Sequence, residues 1–75
     1  MTRTRNIHTV PSERGWANKE EGNPHPLSTH RTQSAAAERG RELARERAAE
    51  HLIHGRDGRI RERNSYGNDP FPPRG

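Results

Sequence analysis

Histidine and arginine are the groups with chemistry to offer in this 75-residue chain, which holds 5 histidines, 14 lysines and arginines, 10 acids and no cysteine. Imidazole is a common ligand of zinc and copper. His8, His30, His51 and His54 would therefore make a metal centre if a sheet gathered them. No two of them are held together by a helical i,i+4 spacing, and His51 and His54, within one short strand, should point to opposite faces. The expectation is histidines that are hydrogen-bonded or solvent-facing, with no metal site. The arginines offer contacts to anions. Arg56, Arg59, Arg61 and Arg63 crowd one segment against Asp57 and Glu62, and Arg3 and Arg5 stand near the N-terminus with no acid beside them. From one sheet face such guanidinium groups can bind phosphates, with Trp16 or Tyr66 stacking on bases.

Other chemistries lack their parts. Ser12, Ser28, Ser34 and Ser65 have no nucleophile-elbow context. Asp57 reads as a turn residue, and the glutamates of the central segment lie on a solvated face, so no paired acid and base is expected. The run His54–Gly58 (HGRDG) superficially resembles a kinase catalytic loop, but the asparagine spacing, glycine loop and scaffold are missing. Gly55 and Gly58 could cradle a phosphate only if a helix followed; a strand follows. Without cysteine there is no disulfide, thiolate zinc site or thiol nucleophile. No catalytic residue, cofactor or small-molecule substrate is expected.

The elements that must position these groups are short. Residues 1–5 read as a disordered basic arm. Asn6–Val10 suits a strand stopped by Pro11, Ser12–Gly15 a turn, and Trp16–Glu20 a second strand. Gly22, Asn23, Pro24 and Pro26 break the chain before a further strand at Leu27–His30. Thr32 occupies an N-cap position before strong helix formers. From Gln33 to Glu50 there is no proline and one glycine, Gly40. Ala36, Ala37, Gly40, Leu43, Ala44 and Ala48 fall in one arc, with Glu38, Arg41, Glu42, Arg45 and Glu46 opposite. The spacing predicts an amphipathic helix whose small residues let it lie close to a sheet. His51–His54 and Arg59–Arg63 read as strands joined by a tight turn at Gly55–Gly58, with Gly58 at positive φ. If Ile60 faces the core, Arg59, Arg61 and Arg63 share the other face.

The predicted architecture is α+β: a small antiparallel sheet of four to five strands, order β-β-(β)-α-β-β, with one helix on one face. It is one domain over residues 6–63, followed by a Gly/Pro-rich tail at 64–75. Hydrophobic residues make up 24% of the chain, and chains this short bury only roughly 60% of their unfolded surface, so a deep dry cleft is not expected. No apolar run approaches a membrane span, and the arginines near the N-terminus are not followed by the apolar stretch of a signal peptide. A cytoplasmic location is expected.

Several stretches together carry a family resemblance. His8–Pro11 (HTVP), Gly15–Lys19 (GWANK), Thr32-Gln33, Leu43-Ala44, Ile53–Arg61 (IHGRDGRIR) and Ser65–Gly75 (SYGNDPFPPRG) resemble the small prokaryotic family called domain of unknown function 2188. The last two stretches are the most specific. The resemblance implies a single α+β domain and brings no activity, cofactor or catalytic residue. Thr9, Asn18 and Ala37 stand where that pattern leads one to expect apolar residues, which should thin the core and favour a partner.

The expected function is binding without catalysis. A protein partner or a second copy is the first expectation, with Tyr66, Phe71, Pro72 and Pro73 as partner contacts. The alternative is sequence-independent nucleic-acid binding through Arg56, Arg59, Arg61 and Arg63.

Overall fold

The computed structural model describes residues 5–66; Met1–Thr4 of the basic arm, and Phe71, Pro72 and Pro73 of the tail, lie outside the described residues. The chain forms β1 (Ile7–Ser12), β2 (Gly15–Glu20), β3 (Pro26–His30), α1 (Gln33–Arg47), β4 (Glu50–His54) and β5 (Ile60–Ser65). The strands make one five-stranded sheet in the order β3-β2-β1-β4-β5, and α1 packs on β1, β2, β3 and β4. The protein is α+β, with one helix on one face of the sheet, as the sequence predicts.

One feature of the sheet departs from expectation. β1 pairs with β4 in parallel, while the other three pairs are antiparallel, so the sheet is mixed. The reason is the helix. It returns the chain along the sheet, so β4 must run in the direction of β3. Two hairpin reversals give β1 that same direction, and β4 docks beside it.

Local chemistry sets the element ends. The Thr32 side chain accepts from the Ala35 backbone N–H at 3.1 Å, which starts α1. The helix stops at Arg47, earlier than the Glu50 expected, because Ala48 turns left-handed at φ 53°. Its N–H bonds the Arg45 carbonyl at 3.2 Å, and the Ala49 N–H bonds the Ala44 carbonyl at 2.9 Å. Those two bonds make a Schellman termination, which lets Glu50 enter β4. Pro11 does not stop β1. β4 pairs only with Ile7–Thr9, so Pro11 has a free flank on which its missing N–H costs nothing.

The core beneath α1 is small: Ile7, Leu43 and Ala44 are buried, and the Tyr66 ring packs against them. Trp16, Ala17, Ala36, Ala49, Leu52 and Ile53 are buried as well, and three polar residues lie buried with them. Thr9, Asn18 and His51 are each at most 1% exposed.

Candidate functional site

The sheet sorts its histidines onto two faces, as the one-residue alternation of strands requires. His51 lies under the helix. Asn18 donates its two amide hydrogens to Ser28 Oγ at 3.0 Å and the Ala36 carbonyl at 2.9 Å. Its Oδ1 therefore accepts the Thr9 hydroxyl, 2.6 Å away. Thr9 Oγ, its one hydrogen spent, accepts from His51 Nε2–H at 2.7 Å. His51 is thus the neutral Nε2–H tautomer, and its buried Nδ1 has no partner among the described residues. Burial pushes its pKa below the usual histidine value, and the Arg41 charge adds to the shift. The triad is closed to solvent because α1 sits directly on it. A Cβ at Gly40 would lie 2.5 Å from His51 Nε2, 2.6 Å from Asn18 Oδ1 and 2.7 Å from Thr9 Oγ1. Thr9 and Asn18, which the sequence marks as thinning the core, instead complete a hydrogen-bonded network.

His8 and His54 lie on the face away from the helix, where β1 and β4 run side by side. His8 Nδ1 is 2.9 Å from His54 Nε2, and the ring centroids are 5.1 Å apart. The outer nitrogens are also engaged. His8 Nε2 reaches Glu21 Oε1 at 3.1 Å, and His54 Nδ1 reaches the Gly58 carbonyl at 3.3 Å. The bond from His8 holds the Glu21 carboxyl below the usual carboxylate range, outweighing its slight desolvation. His8 keeps 24% of its side chain exposed. His25 and His30 stand apart, and His30 bonds Ser28 Oγ at 3.0 Å. Among the described residues no three His, Cys, Asp or Glu side chains converge as a metal cage. Of the four histidines that a sheet could gather, only His8 and His54 touch each other, because that contact depends on the parallel pairing of β1 with β4, which the sequence does not show.

The hairpin arginines do not form one face. The register between β4 and β5 shifts at Ile53/His54, so Glu62 pairs with Ile53, Ile60 pairs with His54, and Arg61 is left without a Cα partner. Such a bulge breaks alternation. Arg61 lies against Gly55, whose added Cβ would come 2.5 Å from Arg61 Nε. Arg63 stands opposite Leu52, on the face that bears His8. Arg59 is solvated beside Asp57, and Arg56 covers the Trp16 ring at 5.6 Å. Trp16 itself is 5% exposed, which closes it to base stacking. Ile60, which alternation could place in the core, is 48% exposed because α1 does not reach the edge strand β5. Tyr66 is engaged within the domain: its ring meets the core, its N–H bonds the Ala49 carbonyl, and Arg45 lies 6.0 Å over it. The turn behaves as the sequence predicts, with Gly58 at φ 88° and its N–H on the Gly55 carbonyl at 2.9 Å.

The two sheet edges differ. β5 is exposed throughout and carries Arg61, Glu62 and Arg63. β3 (PLSTH) carries no carboxylate, lysine or arginine, and Leu27 is 38% exposed. Beside β3 runs an open groove of about 930 Å³, lined by Ala17 and Pro26 among others, with Arg14, Lys19 and Arg31 along it and Glu13 as its one acid.

A small mixed sheet under one helix, with a sealed polar face and an open one, defines a compact α+β module. The chain belongs to a family described as uncharacterized proteins conserved in bacteria, domain of unknown function 2188, whose model it matches over residues 7–66. No curated protein and no solved structure matches it. No helix among the described residues is long and apolar enough to cross a membrane.

Proposed function

We propose that the protein is a non-catalytic protein-binding module that receives an extended acidic segment of a partner along β3. The carrying observation is the contrast between the sheet edges. Charged side chains on an edge block the addition of a further strand, and β5 carries three in succession. β3 begins at Pro26, which closes that end, but Leu27–Thr29 offer their outer backbone groups with no charged side chain among them, so it is the edge better fitted to strand addition. The adjoining groove sets the sign of the partner. Arg14, Lys19 and Arg31 outnumber Glu13 there, which favours carboxylates. It also disfavours a second copy of this chain, since β3-to-β3 pairing would bring two such clusters together. The reading takes the module to work in the cytoplasm, which a chain with no cysteine to oxidise permits.

The test is an amide chemical-shift titration with a synthetic extended peptide that alternates glutamate with valine. Shifts at Leu27–His30 and Lys19, lost when Lys19 and Arg31 are both changed to glutamate, support the proposal. Three results would overturn it: no shift with the peptide, concentration-dependent sedimentation of the protein alone, or retention of mixed-sequence DNA that weakens steeply with salt. The last would restore the hairpin arginines as the site.

A further inference from the structure

The open face of the sheet carries a second cluster, His8 with His54, apart from the β3 edge. Its two rings make three contacts, and each contact calls for a hydrogen. Glu21 Oε1 is a carboxylate acceptor, so His8 Nε2 must carry the hydrogen of that contact. The Gly58 carbonyl is an acceptor, so the 3.3 Å contact is a hydrogen bond only in the tautomer that puts the His54 hydrogen on Nδ1. Each neutral imidazole has one N–H. Three contacts thus share two hydrogens, and in the tautomer with both directed outward His8 Nδ1 and His54 Nε2 present lone pairs to one another across 2.9 Å. Two lone pairs at that distance repel unless a cation lies between them. A proton can fill the position, and so can a metal ion.

We propose that His8 and His54 chelate a divalent transition-metal ion, Zn²⁺ or Ni²⁺, through His8 Nδ1 and His54 Nε2, with water completing the coordination. The outward contacts are those that metal-bound histidines make. Such rings donate the second N–H to a carboxylate or a backbone carbonyl, which fixes the tautomer and aims the other nitrogen at the metal. Glu21 serves His8 in this way and the Gly58 carbonyl serves His54. The spacing fits as well. With Zn–N of about 2.0–2.1 Å, two imidazoles at a tetrahedral angle have nitrogens roughly 3.3 Å and ring centroids roughly 5.2 Å apart. The centroids here are already 5.1 Å apart. The rings need only pivot, opening the nitrogens by a few tenths of an ångström, and the backbone need not move. The surroundings decide the strength. Lys19 is in register with His8, and Arg63 stands on the same face opposite Leu52, so two cations oppose the ion and Glu21 favours it. With two protein ligands in place of four, the site holds its ion weakly and exchanges it readily. A metal there would also join β1 to β4 across the one parallel pair of the sheet.

The test uses untagged protein of the full chain at neutral pH, titrated with ZnCl₂ and separately with NiCl₂, and followed by long-range ¹⁵N–¹H spectra of the imidazole rings. Zn²⁺ is expected to shift His8 Nδ1 and His54 Nε2 while their partner nitrogens keep their hydrogens. Ni²⁺ should broaden the same two rings and leave His51 sharp. His8→Ala and His54→Ala should each remove saturation over the same range. Glu21→Gln, which keeps an acceptor but loses the charge, should weaken binding about tenfold. His25→Ala and His30→Ala should change nothing. The proposal is overturned if the His8→Ala/His54→Ala double variant binds as the parent does. It is equally overturned if a shared hydrogen persists between the two rings at saturating metal. A thermal melt of each variant establishes that it is folded before its binding is read.

Discussion

The two faces of the sheet use the same residue type to opposite ends. Under α1, His51 is neutral, 1% exposed and locked by Thr9 and Asn18. On the other face His8 and His54 meet within reach of solvent, each braced from behind by an acceptor. The difference lies in what covers them. Gly40 lets the helix backbone settle onto the first cluster and exclude water. No helix covers the second. A histidine in a sheet is thus a structural strut or an accessible ligand according to which side of the strand it occupies, and its immediate sequence does not say which.

The largest effect is expected at Gly40. Gly40→Ala places a methyl group within 2.7 Å of three buried polar atoms, so α1 must lift off the triad. A loss of about 3 kcal/mol is expected, at the upper end for overpacking, and urea denaturation would measure it. A change within about 0.5 kcal/mol, the range of ordinary surface substitutions, would mean that the helix does not rest on the triad.

Acid tests the same face more gently. The unfolded His51 ring titrates near 6.5, and burial lowers its pKa in the folded state. Below 6.5 the unfolded chain takes up a proton that the folded chain refuses, so stability falls with pH through this window and levels off once the lowered folded value is passed. Thermal melts between pH 8 and pH 4 should show that decline above the range where carboxylates titrate, and a His51→Gln variant should flatten it. An unchanged slope in the variant would refute the assignment. The smallest effect is expected on the open face. His8→Ala should alter stability by about 0.5 kcal/mol or less, since the ring is partly solvated and its removal leaves no sealed polar group behind. A loss comparable to that of Gly40→Ala would erase the distinction between the faces.

Much of the fold was legible because it is written in local rules. Thr32 ahead of a run free of proline, the turn glycines and the small-residue arc are decided within a few residues of chain, and α1, the β4–β5 turn and the α+β class follow from them. The early helix end escaped notice because alanine rarely turns left-handed; glycine at position 48 would have marked it. The candidate sites were less legible. The arginine stripe assumed unbroken alternation in β5, and the bulge at Ile53/His54 divides it. Thr9 and Asn18 read as flaws in the core because their partner, His51, lies far along the chain.

Composition and local pattern alone settled what the protein is made of: one helix with a small-residue face, short strands and no cysteine chemistry. Only the tertiary structure decided which histidines touch, which edge of the sheet is unguarded and which polar residues are buried. Those properties depend on strands brought together from both ends of the chain, and strand register and partner are set by packing across the sheet rather than by neighbours in sequence.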